Sequence, residues 1–198
     1  MDEKSKLEFL NVSKKYNYFI WMPAKCGTTH AANIFKNFDK NFIHSHVIEL
    51  FDGHWSYDLI SLQRNPYARY ASMFNNLVGH EKSIGFNKVR DNFDLYLNSV
   101  LQSSGTLKDM LKYHERTPDY FIKLEQLFED YSKIPFVIET DFYKSGQLKL
   151  ECSIPKNESQ PDSFSWKELY TSQTADLVYY NMSLIFDLCD YDKNSWKS

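Results

Sequence analysis

The feature that most limits what this chain can become is the stretch 17–35. There an apolar run, Tyr18-Phe19-Ile20-Trp21-Met22, stops at Pro23-Ala24-Lys25-Cys26-Gly27-Thr28-Thr29 and passes into Ala31-Ala32-Asn33-Ile34-Phe35. The run has the aromatic and β-branched bias of a short buried strand, and Ile34 and Phe35 follow Ala31 at helical spacing. The stretch reads as strand, tight loop, helix. A helix start presents backbone N–H groups and the positive end of a dipole, and this one adds a glycine, two hydroxyls and a lysine. Such a set suits an anion, above all a phosphate.

A Walker loop requires its lysine directly after the last glycine. Lys25 precedes Gly27 instead, which argues against an ordinary nucleotide triphosphatase. A phosphatase loop built on Cys26 would need an arginine where Ala32 stands.

The rest of the chain alternates between strand and helix patterns. Asn41–Val47 reads as a second strand, Asp58–Gln63 as a third and Tyr120–Leu124 as a fourth. Helical patterns fall at 66–74, where Pro66 fits a first turn, and at 93–101, 107–113, 125–131 and 172–188. Residues 1–16 read as a polar lead-in and 78–92 as a loop or insertion. Phe136–Glu139 and Leu148–Glu151 read as a hairpin around Lys144-Ser145-Gly146 or as an edge addition. Residues 153–165 read as a loop. The fold class expected is α/β: one domain over 1–198, with a central, mostly parallel sheet, helices on both faces, and a P-loop-like strand-loop-helix at the N-terminus.

Composition narrows the function. With 198 residues, 42% hydrophobic and 17% aromatic, the chain can build a sizeable core. Its net charge of −3 gives a nucleic-acid partner little support, so an anion site must be local. Cys26, Cys152 and Cys189 form no C-x-x-C pair, so no metal is expected. No stretch approaches the roughly 18 apolar residues of a membrane helix. A cytoplasmic protein with no membrane partner is the expectation.

A second informative stretch is Arg64-Asn65-Pro66-Tyr67-Ala68-Arg69-Tyr70-Ala71-Ser72. Open α/β sheets bind ligands beyond the carboxyl ends of their strands, and a guanidinium can grip a phosphate with two parallel hydrogen bonds. Pro23-x-Lys25-x-Gly27-Thr28-Thr29 resembles the 5′-phosphosulfate loop of sulfotransferases that use 3′-phosphoadenosine-5′-phosphosulfate (PAPS). Arg64-Asn65-Pro66 with Ser72 resembles the 3′-phosphate motif of the same family. Glu125-Gln126-Leu127 and Asp187-Leu188-Cys189-Asp190-Tyr191 are weaker echoes, the latter of the family's carbohydrate and bacterial branches.

The resemblance implies transfer of a sulfuryl group from PAPS to a hydroxyl or amine of a carbohydrate or other small acceptor. It releases adenosine 3′,5′-bisphosphate and needs no metal. It implies Lys25, Cys26, Gly27, Thr28, Thr29, His30, Arg64 and Ser72 as donor-binding residues. Lys25 would also be catalytic, neutralising the leaving phosphate. Lys156 and Ser159 lie where many members place a loop over the donor. His46, with His44 beside it, is the expected general base, and His54, Glu49 and Asp52 are alternatives. The cytosolic branch carries its histidine near the stretch Thr106-Leu107-Lys108-Asp109, which has none. Two other readings stay open: a P-loop-type nucleotide kinase or hydrolase, and a non-catalytic phosphonucleotide-binding module.

Overall fold

The computed structural model describes residues 11–44, 56–78, 86–103, 117–154 and 165–197. The contacts divide the chain into two compact units, Met1–Gln63 with Pro118–Lys156 and Arg64–Thr117 with Asn157–Ser198. The described residues have an α/β architecture.

The first unit carries a four-stranded mixed sheet of β1 (Val12–Ser13), β2 (Tyr18–Trp21), β3 (Asp58–Gln63) and β4 (Tyr120–Lys123), in that spatial order. Strand β1 is antiparallel to β2, pairing Val12 with Phe19 and Ser13 with Tyr18. The other pairs are parallel, with Trp21 opposite Ser61 and Gln63 opposite Lys123. Side chains alternate across the strands, so Tyr18, Ile20, Ile60, Leu62 and Ile122 join one core cluster. Phe19 and Leu59 join Val12 in another. Strands buried on both faces are what parallel sheets demand, and this explains the near-continuous apolar runs.

Helix α1 (Thr28–Phe38) adds Ala31, Ala32, Ile34, Phe35 and Phe38 to the first cluster. It ends at Asp39, a buried carboxylate that accepts hydrogen bonds from the Ser13 hydroxyl and, at 3.0 Å, from the Asn41 N–H. That bond ties β1 to the helix end. The polar lead-in expected for 1–16 therefore contains a strand, because Val12 and Ser13 are both buried against the sheet.

The strand expected at 41–47 is not formed over 41–44, and its remainder lies outside the described residues. The Phe42 N–H turns back to the Asp39 carbonyl, and the Phe42 ring packs 5.6 Å from Phe35 and 6.2 Å from Tyr18. Aromatic packing has overridden a weak alternation.

Beyond β4 a single 3₁₀ turn, Leu124–Gln126, leads to α4 (Leu127–Tyr131), α5 (Pro135–Glu139), α6 (Asp141–Lys144) and α7 (Gln147–Ser153). The hairpin or edge addition expected here is thus replaced by short helices. Pro135 opens α5, Gly146 at φ 79° starts α7, and Leu148 is buried while Leu150 is 56% exposed. A strand would have put both leucines on one face. Phe136 stacks on Tyr18 with centroids 4.7 Å apart.

The second unit is helical among its described residues: α2 (Pro66–Val78), α3 (Phe86–Ser103), a 3₁₀ turn at Trp166–Leu169 and α8 (Ser172–Cys189). Helix α3 begins well before the expected Phe93, in a polar stretch without apolar periodicity; the helix expected at 107–113 lies outside the described residues. Phe93 packs on Phe74 at 5.1 Å and on Tyr170 at 5.0 Å, and Tyr67 lies 5.1 Å from both Tyr170 and Phe186. The buried Tyr170 phenol, its pKa raised by desolvation, stays protonated and donates to the Tyr67 carbonyl at 2.8 Å. No described helix is long and apolar enough to cross a membrane.

Candidate functional site

The first candidate element is the turn between β2 and α1. Met22 and Pro23 are buried as the strand ends, and the chain then passes through Lys25 at φ 65° and Gly27 at φ 77°. Both are left-handed, which glycine tolerates and lysine does so only at a conformational cost. The Cys26 N–H donates to the Pro23 carbonyl at 3.3 Å, and the Ala31 N–H to the Gly27 carbonyl at 3.0 Å, closing the first helical turn.

Gly27 is pressed against the residue that follows β4. A Cβ there would lie 2.6 Å from Leu124 Cδ1, so glycine is required by space as well as by φ. Helix α1 has no side-chain cap and no acidic residue in its first turn. Its leading N–H groups have no acceptor within the helix.

The expected donor-binding residues divide by environment. Lys25 is half-buried and Thr29 exposed, whereas Cys26 is 1%, His30 6% and Thr28 8% exposed. The Cys26 side chain belongs to the apolar core cluster, so what it offers the turn is backbone.

The second candidate element starts where β3 ends. Arg64, half-buried, follows Gln63 directly, and Ser72 lies half-buried on α2. Asn65, which the sequence motif contains but to which no role was given, sets the helix start: its Oδ1 accepts from the Tyr67 N–H at 3.0 Å and from the Ala68 N–H at 3.4 Å. Its Nδ2 donates to Ser195 Oγ at 2.8 Å, and the Tyr67 hydroxyl donates to the Lys193 carbonyl at 2.8 Å. An asparagine immediately before a first-turn proline is an N-cap signature, so the signal was present. Arg69 lies over the Tyr70 ring, 5.8 Å from its centroid.

The structure therefore brings Lys25, Cys26, Gly27, Thr28, Thr29 and His30 together in one turn and helix start, in the first unit. Arg64 and Ser72 belong to the second. Strands β2 and β3 are hydrogen-bonded neighbours, and each candidate element follows one of their carboxyl ends. His44 is half-buried, with Nδ1 3.1 Å from Asn11 Oδ1. His46, Glu49, Asp52, His54, Lys156 and Ser159 lie outside the described residues. No family model, no curated protein and no solved structure matches the chain.

Proposed function

We propose that this chain is a PAPS-dependent sulfotransferase, moving a sulfuryl group by in-line displacement to a hydroxyl or amine of a carbohydrate or other small acceptor. The observation that carries this reading is the β2–α1 turn: a lysine and a glycine, both in left-handed backbone, lead into a helix start that no side chain caps. Successive amides in such a turn make a concave anion cradle, and a lysine beside it supplies the charge. On this reading the sheet start is P-loop-like and the sheet is covered by helices on both faces. The three free cysteines suit a cytoplasmic setting.

Sulfuryl transfer, like phosphoryl transfer, is mostly a matter of positioning and of stabilising spread negative charge. Lys25 Nζ neutralises the charge that develops on the leaving 5′-phosphate. The N–H groups of Gly27, Thr28 and Thr29, with the two threonine hydroxyls, fix that phosphate. The Arg64 guanidinium and the Ser72 hydroxyl hold the 3′-phosphate that distinguishes PAPS from ordinary adenine nucleotides, and no metal takes part. A histidine takes the acceptor's proton.

Isothermal titration tests the reading directly. Adenosine 3′,5′-bisphosphate is expected to bind more tightly than ATP with magnesium. Tighter binding of ATP would replace this reading with that of a nucleotide kinase or hydrolase, and binding without turnover of PAPS would leave a phosphonucleotide-binding module.

A further inference from the structure

We propose that Gln63 Oε1 binds the acceptor, receiving a hydrogen bond from a hydroxyl or amine other than the one that reacts, and that Ser61 holds the carboxamide for this task. The acceptor is then a ring carrying more than one such group. That it accepts a sulfuryl group rests on the reading above; that it meets Gln63 rests on the geometry of β3. Ile60 and Leu62 belong to the core cluster that α1 shares, so Ser61 and Gln63 lie on the opposite face of the sheet, with Leu59. A parallel strand covered on both sides calls for apolar residues there. Instead Gln63 is 2% exposed and donates through Nε2 to the fully buried Ser61 Oγ at 2.8 Å.

That bond uses one end of the carboxamide. Among the described residues Gln63 Oε1 has no partner, and it is not one of the unpartnered polar atoms sealed inside the fold, so it keeps surface that a ligand can reach. A polar group this deep with half of its hydrogen bonding unmet is rare and calls for an occupant. Its position supports the same conclusion. Ser61 pairs with Trp21, and Gln63 with Lys123. Leu124, which follows Lys123, is the residue pressed against Gly27, so Gln63 closes β3 one residue short of the level at which the chain after β4 meets the Lys25 turn. Open α/β sheets bind ligands at that edge.

The chemistry of the oxygen selects what it meets. A carbonyl oxygen only accepts, so it repels phosphate and sulfuryl oxygens and leaves those to Lys25 and the amides of the turn. It takes an O–H or an N–H. The hydrogen it holds is not the one given up in transfer, because an amide is far too weak a base. Trp21, half-buried and on the same face as Ser61, offers indole surface to the ring that carries both groups. Gln63 is thus a binding residue and Ser61 its positioning residue.

The test compares transfer from PAPS to cyclohexanol and to the 1,2-, 1,3- and 1,4-cyclohexanediols, which differ from it only by a second hydroxyl. At least one diol is expected to exceed cyclohexanol about tenfold in kcat/KM. Gln63→Met is expected to bring that ratio down to about the twofold given by counting hydroxyls, with adenosine 3′,5′-bisphosphate affinity unchanged. Ser61→Ala, which loosens the carboxamide without removing it, is expected to fall between. A second measurement needs no variant: in ¹³C and ¹⁵N spectra of the full chain, the preferred diol is expected to shift Gln63 Cδ, whereas adenosine 3′,5′-bisphosphate alone shifts neither Cδ nor Nε2.

Equal rates on cyclohexanol and every diol overturn the proposal, as does a ratio unchanged in Gln63→Met. A Gln63 Nε2 resonance that moves with adenosine 3′,5′-bisphosphate alone also overturns it, because the amide would then be donating to the anion. A diol that shifts Gln63 Cδ in a protein that transfers no sulfuryl group overturns the sulfotransferase reading and leaves Gln63 as a polyol contact. Neither transfer nor shift overturns both.

Discussion

Helices α1 and α8 begin in opposite ways. At the start of α8 the Thr171 hydroxyl accepts from the Thr174 N–H at 3.2 Å and the Thr174 hydroxyl accepts from the Thr171 N–H at 2.9 Å, a reciprocal capping box. At the start of α1 the capping position is Gly27, with no side chain to give, and the residue two before it is a strained lysine. A self-satisfied end contributes stability and offers nothing to a ligand. An end left open gives up that stabilisation and keeps its donors for something else. The contrast separates a helix that holds the fold from one that we assign to binding.

Five measurements would sharpen or break that contrast, the largest effect first. Lys25→Ala is expected to reduce turnover by about 10²–10³-fold, the scale of losing one group that stabilises developing negative charge; single-turnover assays with PAPS would show it, and a rate near wild type would remove the lysine from the reaction. Arg64→Ala is expected to weaken adenosine 3′,5′-bisphosphate binding by about 1.5–3 kcal/mol, as for a charged hydrogen bond lost, and unchanged affinity by titration would mean the second element is misassigned.

Gly27→Ala is expected to destabilise the protein by about 2 kcal/mol in urea, from φ strain and the contact with Leu124. Adding Leu124→Ala should relieve the contact and leave the φ strain. Thr171→Ala is expected to lose about 1 kcal/mol of stability and to leave donor affinity untouched; any change in affinity would erase the distinction between the two helix starts. The smallest change in stability is expected for Lys25→Gly, a gain of up to about 1 kcal/mol because glycine accepts the left-handed backbone, with turnover reduced as in Lys25→Ala.

Much of the first unit was legible. The run Tyr18–Trp21 announces itself because a strand buried on both faces is largely apolar, and Asp58–Gln63 and Tyr120–Lys123 by their β-branched and aromatic bias. Pro66 marked α2, and the periodic apolar residues of Ser172–Cys189 marked α8. What was not legible depended on partners distant in sequence. Val12 is a strand residue only because Phe19 is there to pair with it. Leu148 looked like half of a strand until Gly146 and the aromatic core turned its segment into a helix.

The site shows the same division. Lys25, Gly27 and Arg64 were nominated from motifs, and the left-handed backbone at the first two is a local property. The contact between Asn11 and His44 could not, because it joins residues 33 positions apart.

Neither compact unit is a continuous stretch of chain: the polypeptide leaves the sheet after Gln63, returns at Pro118 and departs again beyond Lys156. During vectorial synthesis, β2 and β3 must wait for β4, and α2 must wait for the segment carrying Tyr170 and Phe186 to cover its aromatic side. No single cut can release one unit intact. The ribosome therefore presents the aromatic residues of each unit before the segments that cover them have been made.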